Sequence, residues 1–414
     1  MEQNLAGYRR ILVGIQMLFV AFGALVLVPL LTGLDPSIAL LSAGIGTLIF
    51  QLVTRASVPV FLASSFAFIA PIQFGIKEFG LAETMGGLAS AGLVYLVLAG
   101  LVKWRGPQVI ERFLPPVVTG PVIMVIGLKL APVAVGMTKN FGGSDAIDPL
   151  ALLVALITLT ATIVVVIKGK KLFSLIPILI GISFGYAVSL LLGVVNWEPI
   201  RSAAWISLPW IQAIKDGSYA LPAFNIAAIL YILPVALAPA IEHVGDIIAI
   251  SSVTGEDYLL KPGLHRTLAG DGLATTAAAL LGGPPNTTYS EVTGAVALLK
   301  VKDVGLMRIA AITAIVMAFF GKLNGFLKTI PVPVMGGIMV LLFGMIAVVG
   351  INSLVRAKVD LTKSRNLVIA AVILVFGIGD MSLGAGEFQL AGIGLAGVVG
   401  VLLNAILPTS KENS

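Results

Sequence analysis

"GGPPNTTYSEVTGAVALL", Gly282 to Leu299, lies between two strongly apolar stretches. Pro284 and Pro285 cannot sit in a helix interior, because each lacks an N–H and clashes with the preceding turn. Thr287, Thr288 and Tyr289 favour extended backbone. Only from about Glu291 onward does the text read as helix. The stretch therefore predicts a short extended piece followed by a half-helix, with three hydroxyls, a phenol and a carboxylate at the junction. What this means depends on the solvent around it.

That solvent is lipid. Of 414 residues, 58% are apolar and 11% charged, and the mean hydropathy is +1.06. Soluble domains carry about 25% charged residues. The apolar runs are continuous rather than alternating, which indicates spanning helices and not a barrel. Cysteine is absent, so disulfides, iron–sulfur clusters and thiolate zinc sites are excluded. There are two histidines, His243 and His265. Met1 to Arg10 is polar and leads into an uncleaved apolar span, so no cleavable signal peptide is expected.

Fourteen apolar segments are legible, separated by proline, glycine and charged clusters. They centre near Val20, Ile45, Phe66, Leu93, Ile123, Thr158, Gly185, Ala240, Ala274, Gly294, Val316, Leu341, Val372 and Ala396. Threading them back and forth places 19 of the 26 basic residues on one side. The other side receives Lys77, Lys129, Lys139, Arg201, Lys215, Lys322 and Lys328. This bias predicts a multi-pass protein with both termini in the cytoplasm, and the expected location is the cytoplasmic (inner) membrane.

The chain also repeats. "LPPVVTGPVIM" (Leu114 to Met124) resembles "IPVPVMGGIMV" (Ile330 to Val340), in segments five and twelve. "SSFAF" (Ser64 to Phe68) resembles "TTYSE" (Thr287 to Glu291), in segments three and ten. Both offsets are seven segments. Seven is odd, so the halves enter the membrane in opposite senses, as in the inverted repeats of secondary transporters.

Segment three, "VPVFLASSFAFIAPIQFGI", is interrupted like segment ten: Pro59 and Pro71 bracket an extended-looking stretch around Ser64 and Ser65. Irregular backbone at membrane depth survives only when buried in protein or lining a cavity. Paired interrupted segments in matching positions of two halves point to a transporter's binding site. Their half-helices aim positive dipole ends at the centre. Two kinked packing helices would not need an acid beside the break.

Acids are there, however: Glu242, Asp246 and Glu291. Glu242 and Asp246 lie four apart in "LPVALAPAIEHVGDIIAI", hence on one helix face. A carboxylate at mid-bilayer costs about 3 kcal/mol even by lenient scales. No basic residue is expected at that depth, and His243 points from another face. Such acids must be protonated, metal-bound or matched to substrate donors, which makes all three candidates for proton coupling. Asp271 is expected near the cytoplasmic end of its segment.

"FGALVLVPLL", "ASSFAFIAPI", "IEHVGD", "PGLHRTLAGDGLAT", "GGPPNTTYSE" and "IPVPVMGGIMVLLFG" closely resemble the nucleobase–ascorbate transporter family, and its bacterial uracil permease branch most of all. The similarity runs in order from about Gln16 to Leu407. It implies an all-α membrane protein of 14 transmembrane segments, arranged as two inverted 7-span repeats with short antiparallel strands in spans 3 and 10. It implies a core domain (1–108 and 220–326) and a gate domain (109–200 and 327–414). The implied activity is proton-coupled uptake of a nucleobase, most closely uracil, by alternating access.

Carried over by motif, Glu242 and Glu291 bind the substrate. The backbone N–H groups of Phe66 and Ser290 meet ring carbonyls, and Ala24, Tyr289 and Phe343 pack on the ring. Glu242, Asp246 and Glu291 carry the proton. No cofactor, metal or catalytic residue is implied; the partners are the nucleobase and lipid, with no nucleic acid, and a homodimer through the gate. The chain departs from the family's uracil permeases in three places. Histidine is usual there at Asp246, Gln-His at Gln16-Met17, and Gly-Glu-Asn is frequent at Ser290-Glu291-Val292. A third acid leaves sodium as the alternative coupling ion, and xanthine or urate is the alternative substrate. An anion transporter of related architecture would want a basic residue at the half-helix ends, and a membrane enzyme a nucleophile–base pair; neither is present. "GDGLAT" (Gly270 to Thr275) reads as a glycine-packed helix rather than a phosphate loop.

Overall fold

The computed structural model describes residues 7–408, apart from 143–145, 171–172, 174–175 and 386–387. Each of the fourteen predicted centres falls inside a crossing segment. Seven of the segments are helices long and apolar enough to span alone: Gly7–Thr32, Pro36–Val53, Leu81–Arg105, Pro116–Lys139, Pro149–Lys168, Ile226–Thr254 and Val332–Arg356 (spans 1, 2, 4, 5, 6, 8 and 12). Five more are shorter helices: Pro177–Leu191, Leu264–Leu280, Val304–Ala318, Ser364–Ile378 and Gly392–Ile406 (spans 7, 9, 11, 13 and 14). Spans 3 and 10 are broken, as their prolines require.

Local chemistry sets the ends. Asp35 accepts N–H bonds from Ser37 (2.8 Å) and Ile38 at the start of span 2, with Pro36 at the first helical position. Asp148, Asn225 and Asp303 cap spans 6, 8 and 11 in the same way. The two resembling motifs at the heads of spans 5 and 12 fold alike. Pro115 and Pro331 are both extended N-caps, and their carbonyls accept from Val118 and Thr119 in one repeat and from Val334 and Met335 in the other.

Each broken span contributes one strand. Strand β1 (Leu62–Ser64) pairs antiparallel with β2 (Asn286–Thr288), in the register Leu62↔Thr288, Ala63↔Thr287, Ser64↔Asn286. The extended backbone predicted from Pro284–Tyr289 thus finds its ladder partner in the other repeat, which is how it survives in a dry interior.

The most closely packed helix pairs fall within two sets. Span 2 packs on spans 9 and 11, span 9 also on 4 and span 11 also on 1; in the other set spans 12 and 13 both pack on span 5, with spans 6 and 7 against 12 and 14 against 13. The close pair of spans 5 and 12 meets at Gly120 and Gly350, where a Cβ on Gly350 would lie 2.5 Å from the Gly120 carbonyl oxygen. Small residues allow this backbone approach.

Three features differ from expectation. Two antiparallel strands, β3 (Ser382–Ala385) and β4 (Phe388–Ala391), lie between spans 13 and 14, whose 15-residue helices rise only about 22 Å. Lys129 does not lie beyond the end of its span. It sits ten residues short of the end of span 5 at Lys139, about 15 Å inside it, and is paired with Asp380. Asp271 is not near an end: it is fully buried, held against span 10 by contacts that no single-helix reading contains.

Candidate functional site

The two strands fix the two half-helices. The Ser65 N–H bonds to the Pro285 carbonyl (2.9 Å). Thr47 Oγ1 accepts from the Leu62 N–H (3.0 Å), and Asn286 donates to the Ser42 carbonyl (2.8 Å). Beyond the strands, a short 3-10 turn (Phe66–Phe68) leads into Ile69–Glu78, and Ser290–Leu299 begins at once. Neither N-cap residue, Ser65 nor Tyr289, folds its side chain over the first N–H groups. Those donors carry the positive ends of both helix dipoles.

The three predicted acids come together here. Glu242 lies within electrostatic reach of both Asp246 and Glu291, and Glu291 within reach of Asp246. Asp246 is gripped by span 10: Thr288 donates to its Oδ2 (2.9 Å) and Ser290 donates a short bond to its Oδ1. The predicted ring-packing residues also meet. Phe66 contacts Tyr289 (centroids 6.2 Å) and Phe343 (6.3 Å, edge-on), and Ala24, Tyr289 and Phe343 are buried in one apolar cluster. Phe66 and Phe343 come from sequence positions in opposite repeats.

The site opens on one side. Ser290, Glu291, Gly294, Ala297 and Leu298 are exposed along one lane of span 10, while Val292, Thr293, Ala295 and Val296 are buried. Span 8 has a matching lane: Glu242 is half-buried, and Gly245, Ile248 and Ser252 are exposed. A Cβ on Gly245, Gly294 or Gly344 would meet no atom within 4 Å. The lanes run from the acids to the face that carries Arg10 and Lys300.

Toward the opposite face the way is closed. Phe74 and Tyr231 stack at 4.6 Å. Between them and the Lys129–Asp380 pair remains a cavity of about 60 Å³, bounded also by Val235 and Ile393. Span 14 packs closely on span 8 here: a Cβ on Gly394 would lie 3.2 Å from Pro234.

Sequence reasoning missed a second polar cluster behind the acids. His243, fully buried, has Nδ1 3.2 Å from Thr288 Oγ1 and 3.4 Å from Asp271 Oδ2. Thr287 donates to the same Asp271 oxygen (3.2 Å). The signal was present in "NTT", whose threonines were legible only as strand formers. In a two-stranded ladder their side chains alternate faces, so one reaches Asp246 and the other Asp271.

A profile described as the permease family matches residues 9–385. The chain is 55% identical to the probable uracil permease of Haemophilus influenzae, over 100% of this chain and 97% of that one. It is 46% identical to the uracil permease of Bacillus caldolyticus, over 96% and 92%. Its fold matches the transmembrane domain of a cyanobacterial bicarbonate transporter, with a TM-score of 0.61 at 14% identity over 95% of this chain and 96% of the other. With its broken spans, inverted repeats and family profile, the chain is a multi-pass membrane transporter and not an enzyme, and it belongs to the nucleobase–ascorbate transporter family of permeases.

Proposed function

We propose that this protein takes up uracil, or a close pyrimidine, together with a proton by alternating access. The observation that carries this reading is the placement of Glu242 and Glu291 beside two uncapped half-helix ends and the Phe66–Tyr289–Phe343 aromatic group. A flat ring with alternating N–H donors and carbonyl acceptors satisfies both kinds of group at once. The carboxylates of Glu242 and Glu291 accept from ring N–H groups, a charge-assisted interaction. The backbone N–H groups of Phe66 and Ser290 donate to ring carbonyls, and Ala24, Tyr289 and Phe343 sandwich the ring. The names of the full-length relatives support the choice of uracil.

Among the described residues the clustered acids have no lysine or arginine partner, which supplies the reason for a proton. The lysine and arginine ion pairs, Arg10–Asp303, Lys129–Asp380 and Lys328 with Asp35 and Asp216, involve none of them. Buried carboxylates in low dielectric are tolerated when neutralised, so a proton on Asp246, neutralising the neighbourhood of the ring-binding Glu242, accompanies the substrate and leaves with it. Spans 1–4 and 8–11 move as the core against a gate of spans 5–7 and 12–14. In the arrangement described, the crevice along spans 8 and 10 is the exit to the cytoplasm, and the Phe74–Tyr231 and Lys129–Asp380 contacts close the outer side. This reading carries with it residence in the inner membrane with both termini inside, and a homodimer formed through the gate.

The deciding experiment is uptake of labelled uracil into proteoliposomes, with and without an imposed pH gradient, against unlabelled xanthine and urate and with sodium replaced by potassium. Acceleration by an inward proton gradient and no competition by xanthine are expected. Xanthine competition, or a requirement for sodium, would replace the reading by the corresponding alternative.

A further inference from the structure

We propose that Asp246 and Asp271 are the two ends of one polar chain, with Thr288 and His243 between them, whose hydrogen-bond direction reverses when Asp246 gains or loses a proton. What the reversal is for rests on the proton-coupled reading above; the chain itself does not.

Three contacts are hydrogen bonds, Ser290 to Asp246 Oδ1, Asp246 Oδ2 to Thr288 Oγ1 (2.9 Å) and Thr288 Oγ1 to His243 Nδ1 (3.2 Å); the fourth, Nδ1 to Asp271 Oδ2 (3.4 Å), is a close charge-pair contact that a small ring rotation would align. All the chain members past Ser290 are buried. A hydroxyl has one proton to donate. While Asp246 is ionised it is acceptor-only, so Thr288 donates to it and must accept from His243. The proton between His243 and Asp271 then sits on Nδ1. Once Asp246 is protonated it donates to Thr288, Thr288 turns its proton toward Nδ1, and Nδ1 must become an acceptor. Its proton passes to Asp271 Oδ2, 3.4 Å away. The N–H bond at Nδ1 breaks as the O–H bond at Asp271 forms, and Nε2 keeps its proton throughout. The His243–Asp271 pair is thus an imidazolium–carboxylate ion pair in the first state and a neutral pair in the second, with a net charge of zero in both.

Among the described residues, three buried atoms here have no hydrogen-bond partner: His243 Nε2 on the chain itself, and Asp271 Oδ1 and the Tyr95 hydroxyl at its far end. The other titratable groups facing the chain are Glu242 on the same helix, Glu291 and Tyr289 on span 10, and Tyr95 on span 4. His243 is thus the residue through which the protonation state of the site is felt by span 9.

The chain contains two histidines, so ¹⁵N-histidine spectroscopy of the full-length protein in lipid nanodiscs resolves His243, with His265→Gln making the assignment. Lowering the pH of the native protein should convert His243 Nδ1 from protonated to unprotonated, opposite to the behaviour of an isolated histidine. Asp246→Asn, with Ser290 held on its oxygen and its amide donating to Thr288, should fix the unprotonated form. Thr288→Val should abolish this response and Thr288→Ser preserve it. An Nδ1 signal that ignores both pH and Asp246→Asn, or that still follows Asp246 in Thr288→Val, overturns the proposal. Native uptake that ignores a pH gradient would instead remove the proton-coupled reading while leaving this measurement intact.

Discussion

Leu62 and Thr288 face each other across an antiparallel ladder, although they belong to opposite repeats of the chain. On one side of that ladder Thr47 Oγ1 accepts the Leu62 N–H at 3.0 Å. Span 2 therefore completes the hydrogen bonding that lets a strand exist inside the membrane.

Thr47→Val keeps the shape and removes the acceptor. A buried N–H left unpaired costs about 1–3 kcal/mol. The variant should melt at a lower temperature in detergent than the native protein, and uracil, if bound, should raise its melting point by the usual increment. An unchanged melting point would mean that the Leu62 N–H finds another acceptor.

Glu242→Gln and Glu291→Gln test the two acceptors separately. A hydrogen bond to a charged group contributes about 1.5–3 kcal/mol, so each variant should lose roughly 10- to 150-fold in uracil affinity, measured by calorimetry on purified protein. Truncation to alanine should abolish uptake. Normal uptake by Glu242→Ala and Glu291→Ala at native abundance would remove the site from this pocket.

Asp246 is held by protein hydroxyls on both oxygens, unlike an acid kept free for a ligand. Asp246→Asn should therefore change uracil affinity by less than about threefold, or under 1 kcal/mol, while flattening the response of uptake to an imposed pH gradient. A full response to the gradient in this variant would place the proton elsewhere.

Gly294 faces open space one turn below Glu291. Leucine is the better helix former there, by less than about 1 kcal/mol, and its Cβ meets no atom within 4 Å. Gly294→Leu should fold at least as stably as the native protein and yet transport poorly, because its side chain occupies the exit lane and obstructs closure of the core on the gate. Native rates of counterflow in this variant would show that the lane is not the route.

Much of this protein was legible in its text because lipid is an unforgiving solvent. Continuous apolar runs had to be spans, Pro284–Pro285 had to break a helix, and Glu291 needed a reason to be there. Those inferences rest on local backbone chemistry and on the cost of desolvation, and both act residue by residue. Tertiary structure decided the rest. Asp271 read as a residue near a helix end until Thr287 and His243, from two other spans, met it. Lys129 read as a residue beyond the end of its span until the structure placed it within span 5, paired with the exposed Asp380. The partner strand of "NTT" lies more than two hundred residues away. Depth along a helix and the face it turns inward depend on where neighbouring helices stop, and hydrogen bonds between distant segments leave no periodic trace in either one.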